Sequence, residues 1–130
     1  MNDKVKPKQK YDLEDRTYRF ARNVRTLVKK LPRNIRNAED SKQVVRSSGS
    51  VGSNYIEANE ALSKKDFIMR IKISRKEAKE SGYWLLLLDV GQTENLEVER
   101  SLLVKEAQEL TNIFGAILKK AQNKRINSKD

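Results

Sequence analysis

The stretch VVRSSGSVGSNYIEANEAL, residues 44–62, decides how the rest of the chain is read. Ser47, Ser48, Gly49, Ser50, Gly52 and Ser53 crowd its first half. By composition that is a loop or, with its Gly-Ser-Val-Gly-Ser run, a phosphate cradle. On a helical wheel, however, Val44, Val45, Ser48, Val51, Gly52, Tyr55, Ile56, Asn59 and Leu62 fall within an arc of about 140°. Arg46, Ser50, Ser53, Asn54 and Glu57 lie opposite or flank that set. A loop has no reason to keep this period, so the segment is a helix. The phosphate-loop reading also fails on its own terms: there is no G-x-x-x-x-G-K-[ST], and no strand leads into the glycines.

In isolation this would be a poor helix. Gly49 and Gly52 alone cost about 2 kcal/mol relative to Ala, so tertiary packing must supply the difference. Ser48 and Gly52, small and inward, let a neighbouring helix approach closely. Ser47, Gly49 and Ser53 lie off that face, which suggests a close neighbour from another subunit. Ser48, Gly49, Gly52 and Ser53 are therefore the expected close-packing positions.

The first helix is expected from about Leu13 to Lys30. Thr17, Phe20, Ala21, Val24, Leu27, Val28 and Leu31 recur at three- and four-residue steps, and Pro32 disfavours helical geometry at Leu31. Arg19, Arg22, Arg25 and Lys29 gather on the opposite side within about 120°. That stripe is either a solvated face or a polyanion-binding one. The third helix follows Ser63-Lys-Lys-Asp66, a capping box with Asp in place of Glu. Phe67, Ile71, Ser74, Ala78, Gly82, Leu85 and Asp89 trace one face. Met69, Ile73, Trp84 and Leu87 sit almost opposite, interrupted by Lys76 and Glu80. A second apolar stripe holding the only Trp asks for another surface to cover it, so these four are the expected oligomer interface.

The fourth helix is expected from about Leu96 to Asn123, with Leu103, Ala107, Leu110, Phe114, Ile117 and Ala121 forming the seam of a bundle. The links between helices are short, with Gly91 at the C-terminus of the third helix and Thr93 or Asn95 as a cap for the fourth. The fold expected is all-α, an antiparallel up-down-up-down four-helix bundle. It spans residues 13–123 between a basic, flexible N-terminal tail (1–12) and a basic C-terminal tail (124–130).

Composition agrees with that and excludes much else. In 130 residues there are only two prolines and five glycines, too few for an all-β fold. There is no cysteine and no histidine, which removes disulfides, Cys/His zinc sites and the Glu-x-x-His motif of di-iron bundles. No metal, cofactor or catalytic residue is expected. The opening MNDKVKPKQK lacks the apolar core of a signal peptide, and the longest apolar run, Tyr83 to Leu88, is too short to span a bilayer. A soluble, cytoplasmic protein without membrane contact is expected.

The net charge of +10 is unevenly spread. Residues 1–10 carry +3, residues 11–38 carry +5 and residues 119–130 carry +4, while the remaining 80 sum to −2. In an alternating bundle the two tails meet at one end, beside the start of the basic first helix. Arg16, Arg19, Arg22, Arg25, Lys29, Lys30, Arg33 and Arg36, with Lys119, Lys120, Lys124 and Arg125, are the expected phosphate contacts. They would give affinity and position but little sequence choice. No aromatic residue is interleaved among them for base stacking.

The segment Arg46 to Leu88 resembles the signature of the four-helix bundle proteins encoded in intervening sequences of bacterial 23S ribosomal RNA genes. The residues that carry the resemblance are Arg46-Ser47, Gly52 and Asn54, Glu57-Ala58, Ser63-Lys64-Asp66-Phe67, Lys76-Glu77-Ala78-Glu80 and Tyr83-Trp84-Leu85. Tyr55-Ile56 departs from it, standing where many members carry Ile-Ala or Ile-Glu. The resemblance implies an up-down bundle assembling into a ring, typically a homopentamer. It also implies kinship with the accessory protein of diversity-generating retroelements, which is basic, binds nucleic acid and works with a reverse transcriptase. The leading expectation is thus a non-enzymatic, ring-forming protein that binds RNA or a nucleoprotein. The alternative is a protein-only oligomeric adaptor. An enzyme using Glu57, Glu77 and Glu80 is the third class, but acids one helical turn apart are more often a charged helix flank.

Overall fold

The computed structural model describes the backbone of residues 9–129 and the side chains of residues 13–123. Four helices follow one another: α1 (Gln9–Lys29), α2 (Ile35–Asn59), α3 (Lys64–Leu87) and α4 (Glu94–Lys129). The quoted stretch lies in α2 up to Asn59 and in the link beyond. Helices α1 and α4 begin or end outside the expected limits of Leu13 and Asn123, because no proline or glycine stops them there. The tails expected at residues 1–12 and 124–130 lie outside the described side chains.

The chain turns where its capping residues allow. Pro32 lies in the first link, and the side chain of Asn34 caps α2 by accepting a hydrogen bond from Asn37 N at 2.8 Å. Ser63 caps α3 by accepting from Asp66 N at 3.0 Å, the Ser side of the expected capping box. Gly91 adopts φ 70°, the left-handed turn that lets the chain leave α3 and enter α4. Asn37 ties the two links at this end together. Its Nδ2 donates to Pro32 O and to Asp89 O, each at 2.9 Å, while its Oδ1 accepts from Asp89 N at 2.9 Å.

Each neighbouring pair of helices meets in reverse order of sequence. Along α2 and α3, Asn54 meets Arg70, Val51 meets Ser74 and Ser47 meets Ser81. Along α1 and α2, Glu14 meets Asn59 and Arg25 meets Val45. Along α3 and α4, Gly82 approaches Ala107 and Arg75 approaches Gly115. Among the described residues α1 touches α2 and α4, and α3 touches α2 and α4, whereas α1 and α3 do not meet. The bundle is therefore a ring of four antiparallel contacts with α1 and α3 on its diagonal.

Phe20, Val24 and Leu27 from α1, Val44 and Val51 from α2, Ile71 and Leu85 from α3, and Leu110 and Phe114 from α4 fill the core. Tyr55 meets Phe114 edge to face with ring centroids 5.6 Å apart. The inward arc of α2 is rotated from the expected one. Ser47 and Ala58 are buried, while Ile56 and Leu62 are exposed. The cause is the seam with α3, which draws α2's small residues inward and turns its bulkier Ile56 out. The Ser47 and Ser81 hydroxyls share a hydrogen bond of 2.8 Å, Ser81 Oγ donates to Glu77 O, and Ser74 Oγ donates across to Val51 O at 2.9 Å. Every buried hydroxyl of this seam finds an acceptor, which removes the desolvation penalty of placing serines in a core.

The small residues of α2 face their own chain. An added Cβ at Gly52 would stand 2.8 Å from Thr17 Oγ1, and one at Gly49 would meet the tip of Arg25 at 3.2 Å. Ser48 is buried and Ser53 exposed. Within this chain the neighbours of Ser47 and Gly49 are thus α3 and α1.

Candidate nucleic-acid interface

The basic side chains of α1 separate into two groups by what they face. Arg16 and Lys30 turn toward α4, which carries acids there. Arg16 donates from Nε and Nη2 to both carboxylate oxygens of Glu106, at 2.7 and 2.8 Å, and from Nη2 to Glu109 at 2.7 Å. This forked arrangement raises the guanidinium pKa, chiefly through the Glu106 hydrogen bond. Lys30 Nζ reaches Glu99 at 2.9 Å. These two fasten α1 to α4. Arg36 pairs with Asp89, and Arg19 with Asp15 one turn back.

The second group points to solvent. Tyr18, Arg22, Arg25 and Lys29 follow one another at helical steps and lie within about 60° of the wheel, all of them exposed. Among the described residues none of the three cations has a carboxylate partner. Arg25 donates instead to the carbonyls of Ala21 and Val45, which holds the guanidinium in place without neutralising it. Arg33 is exposed just beyond the helix. Tyr18 is 61% exposed. The expected lack of aromatics in this stripe is therefore corrected: Tyr18 stands four residues before Arg22, a spacing legible in the sequence once the wheel is centred on the solvent side.

Lys120 stands apart from this face. Lys120 lines a cavity of about 540 Å³ with Ala61, Leu62, Lys64, Phe67 and Ile117, beside the first turn of α3. Lys119 is exposed. The side chains of Lys124 and Arg125 lie outside the described residues.

The second apolar stripe of α3 is only half open. Ile73 and Trp84 are partly buried, and Trp84 packs against the core with its ring in edge contact with Tyr83. Met69 and Leu87 are about half exposed, at 52% and 48%. Of the carboxylates, Glu77 and Glu80 both face Arg46, at 3.4 and 3.7 Å, and Glu57 stands exposed on α2. Glu77 Oε1 is buried and, among the described residues, accepts no hydrogen bond. No group of three or more metal-ligating side chains occurs among the described residues, and no described helix is long and apolar enough to cross a membrane.

An all-α bundle of four helices with a net charge of +10 defines a class, the basic four-helix bundle proteins. The chain belongs to the 23S rRNA-intervening sequence protein family, whose model matches residues 9–116. It is similar to a protein of unknown function from the S23 ribosomal protein family of Bacteroides thetaiotaomicron. That crystal structure shares 31% identity and a TM-score of 0.68, with 82% of this chain and 97% of the other covered. No curated protein matches the sequence.

Proposed function

We propose that this chain is a non-enzymatic RNA-binding protein that contacts phosphates through the solvent face of α1. One observation carries the reading. The acids of α4 neutralise the cations on α1's inner flank, whereas Arg22, Arg25, Lys29 and Arg33 keep their charge in the open. A row of uncompensated positive charge attracts a polyanion and releases its counterions on binding. Tyr18 adds a ring on which a base can stack. The resemblance drawn from the sequence extends the proposal to an assembled nucleoprotein, a reverse transcriptase complex included.

Three or four phosphate contacts give a slope of about −2 to −3 in log affinity against log salt for a single strand. Fluorescence anisotropy with a labelled single-stranded RNA should thus show roughly a 20- to 50-fold loss between 50 and 200 mM salt. Arg22→Glu with Lys29→Glu should lower the amount of RNA bound per chain at low salt. Binding indifferent to salt would refute the proposal.

Self-association, as a ring of the kind the resemblance implies, belongs to the same proposal. Half-exposed Met69 and Leu87 with exposed Leu86 support it, and they equally support a protein-only adaptor. Trp84 is a poor probe because it packs on its own core. Leu87→Glu is the cleaner one. It should lower the mass measured by light scattering, and an unchanged mass would remove this surface from any interface.

A further inference from the structure

Helix α3 carries a second basic face that the charge distribution along the chain hides. It holds seven Lys and Arg against three acids, but the acids of α2 and α4 cancel the excess when charge is summed over residues 39–118. In space they do not cancel it. Asp66 lies in the first turn, and Glu77 and Glu80 face Arg46 of α2. Lys65, Lys72, Lys76 and Lys79 are exposed and, among the described residues, have no carboxylate partner. With Tyr83 they fall within about 60° of the wheel, and Tyr83 is 60% exposed. Lys72, Lys76, Lys79 and Tyr83 repeat in reverse the arrangement of Tyr18, Arg22, Arg25 and Lys29: three cations and one open tyrosine at steps of four, three and four.

Because α1 and α3 lie on the diagonal of the bundle, the two faces point away from each other. With neighbouring helix axes 8–10 Å apart, the diagonal axes are about 13 Å apart. Adding the radius of each helix with its side chains puts the faces roughly 25 Å from each other. That is two to three Debye lengths at physiological salt, about 8 Å each, so strands on both faces would hardly repel. A strand only a few nucleotides long is too short to pass around the bundle and occupy both.

We propose that the α3 face is a second binding surface for single-stranded nucleic acid, so that one chain connects two RNA segments on opposite sides. The inference rests on the RNA-binding reading of α1 and adds its own occupant to α3. Charge complementarity favours a phosphate backbone, and the open Tyr83 ring beside the lysines favours bases over an acidic peptide.

Met69, Leu86 and Leu87 border the lysines on the same side of α3, so this surface and a subunit contact through those residues exclude each other, and the count of strands per chain decides between them. Titration of the full chain with a pentanucleotide oligouridylate at about 0.1 M salt, where the Debye length is still only about 10 Å, read by calorimetry, should saturate at two strands per chain. Lys72→Glu/Lys76→Glu/Lys79→Glu and Arg22→Glu/Lys29→Glu should each saturate at one, and the combined variant should bind none. The helical circular dichroism of every variant should match the wild type, since all the altered residues are solvent-exposed. Saturation of the wild type at one strand, or a lysine variant that still takes two, would overturn the second face while leaving α1 as a binding surface. A wild type that binds no oligouridylate would overturn both proposals. A decaglutamate peptide that occupies α3 more tightly than RNA would assign that face to acidic protein and overturn this inference alone.

Discussion

Alanine at Gly52 and alanine at Gly49 should move stability in opposite directions, although the two sites lie three residues apart in one helix. In a helix interior the change from Gly to Ala is worth about 0.8–1.0 kcal/mol through backbone entropy. At Gly49 the new Cβ would meet only the guanidinium tip of Arg25, at 3.2 Å, and that side chain can swing into solvent. Most of the gain should survive, since the contacts given up are the exposed hydrogen bonds of Arg25 to Ala21 O and Val45 O. At Gly52 the new Cβ would stand 2.8 Å from Thr17 Oγ1 and 3.2 Å from Thr17 Cβ. Thr17 is buried and its hydroxyl donates to Glu14 O at 2.9 Å, so it has nowhere to turn. Overpacking of this kind costs about 1–3 kcal/mol, leaving Gly52→Ala destabilised by roughly 0–2 kcal/mol once the entropy gain is subtracted. The variants should therefore differ by about 1–3 kcal/mol, or roughly 1 M in urea midpoint at ordinary slopes. Urea unfolding followed by circular dichroism measures this directly. Thr17→Ala should recover part of the loss at Gly52, giving a coupling of about 1–2 kcal/mol in the double-mutant cycle. If Gly52→Ala stabilises as much as Gly49→Ala, or the cycle shows no coupling, the close approach of α1 to α2 is wrong.

Asn37→Asp should cost about 2–3 kcal/mol, because it leaves the carbonyls of Pro32 and Asp89 without their donor and sets an anion among them. The same urea assay checks it, and a loss below about 0.5 kcal/mol, the level of an ordinary surface change, would contradict the tie between the links. Arg100 donates to the carbonyls of Leu85, Leu86 and Leu88 and to Glu97, so Arg100→Leu should lower the midpoint and fray the end of α3 in hydrogen exchange. The hydrogen bond from Arg100, then that from Ser101, holds the Glu97 carboxyl below its usual pKa. A lowered carboxylate contributes stability above its unfolded-state pKa and loses it as pH falls through the folded-state value. Glu97→Gln should thus shrink the stability difference between pH 7 and pH 3, and an unchanged difference would count against the pair.

The helices were legible because each carries its own period and its own stops. Pro32, Ser63 and Gly91 mark their links in the sequence much as they do in space. The orientation of α2 was less legible. Its apolar residues point the wheel toward Ile56 and Leu62, whereas the fold buries Ser47 and Ala58. Hydrophobicity cannot rank a serine above an isoleucine, and only the partner hydroxyl of Ser81 does so. The basic face of α1 was legible as a stripe, but its division was not. Whether an arginine is spent on Glu106 or left to solvent depends on which helix lies beside it. The lysines of α3 were missed for the converse reason. A sum along the chain mixes them with acids that pair elsewhere, and the large apolar residues of that helix, Trp84 among them, dominate its pattern.

The serine seam between α2 and α3 does more than permit close contact. Apolar stripes repeat at every turn, so two such helices can slide past one another by a turn and still bury similar area. Hydroxyls cannot. A one-turn slide would part Ser47 from Ser81 and Ser74 from Val51 O, stranding polar atoms where water cannot reach them. The seam works as an index mark that rejects the wrong alignment, and α2 gives up helix propensity to carry it.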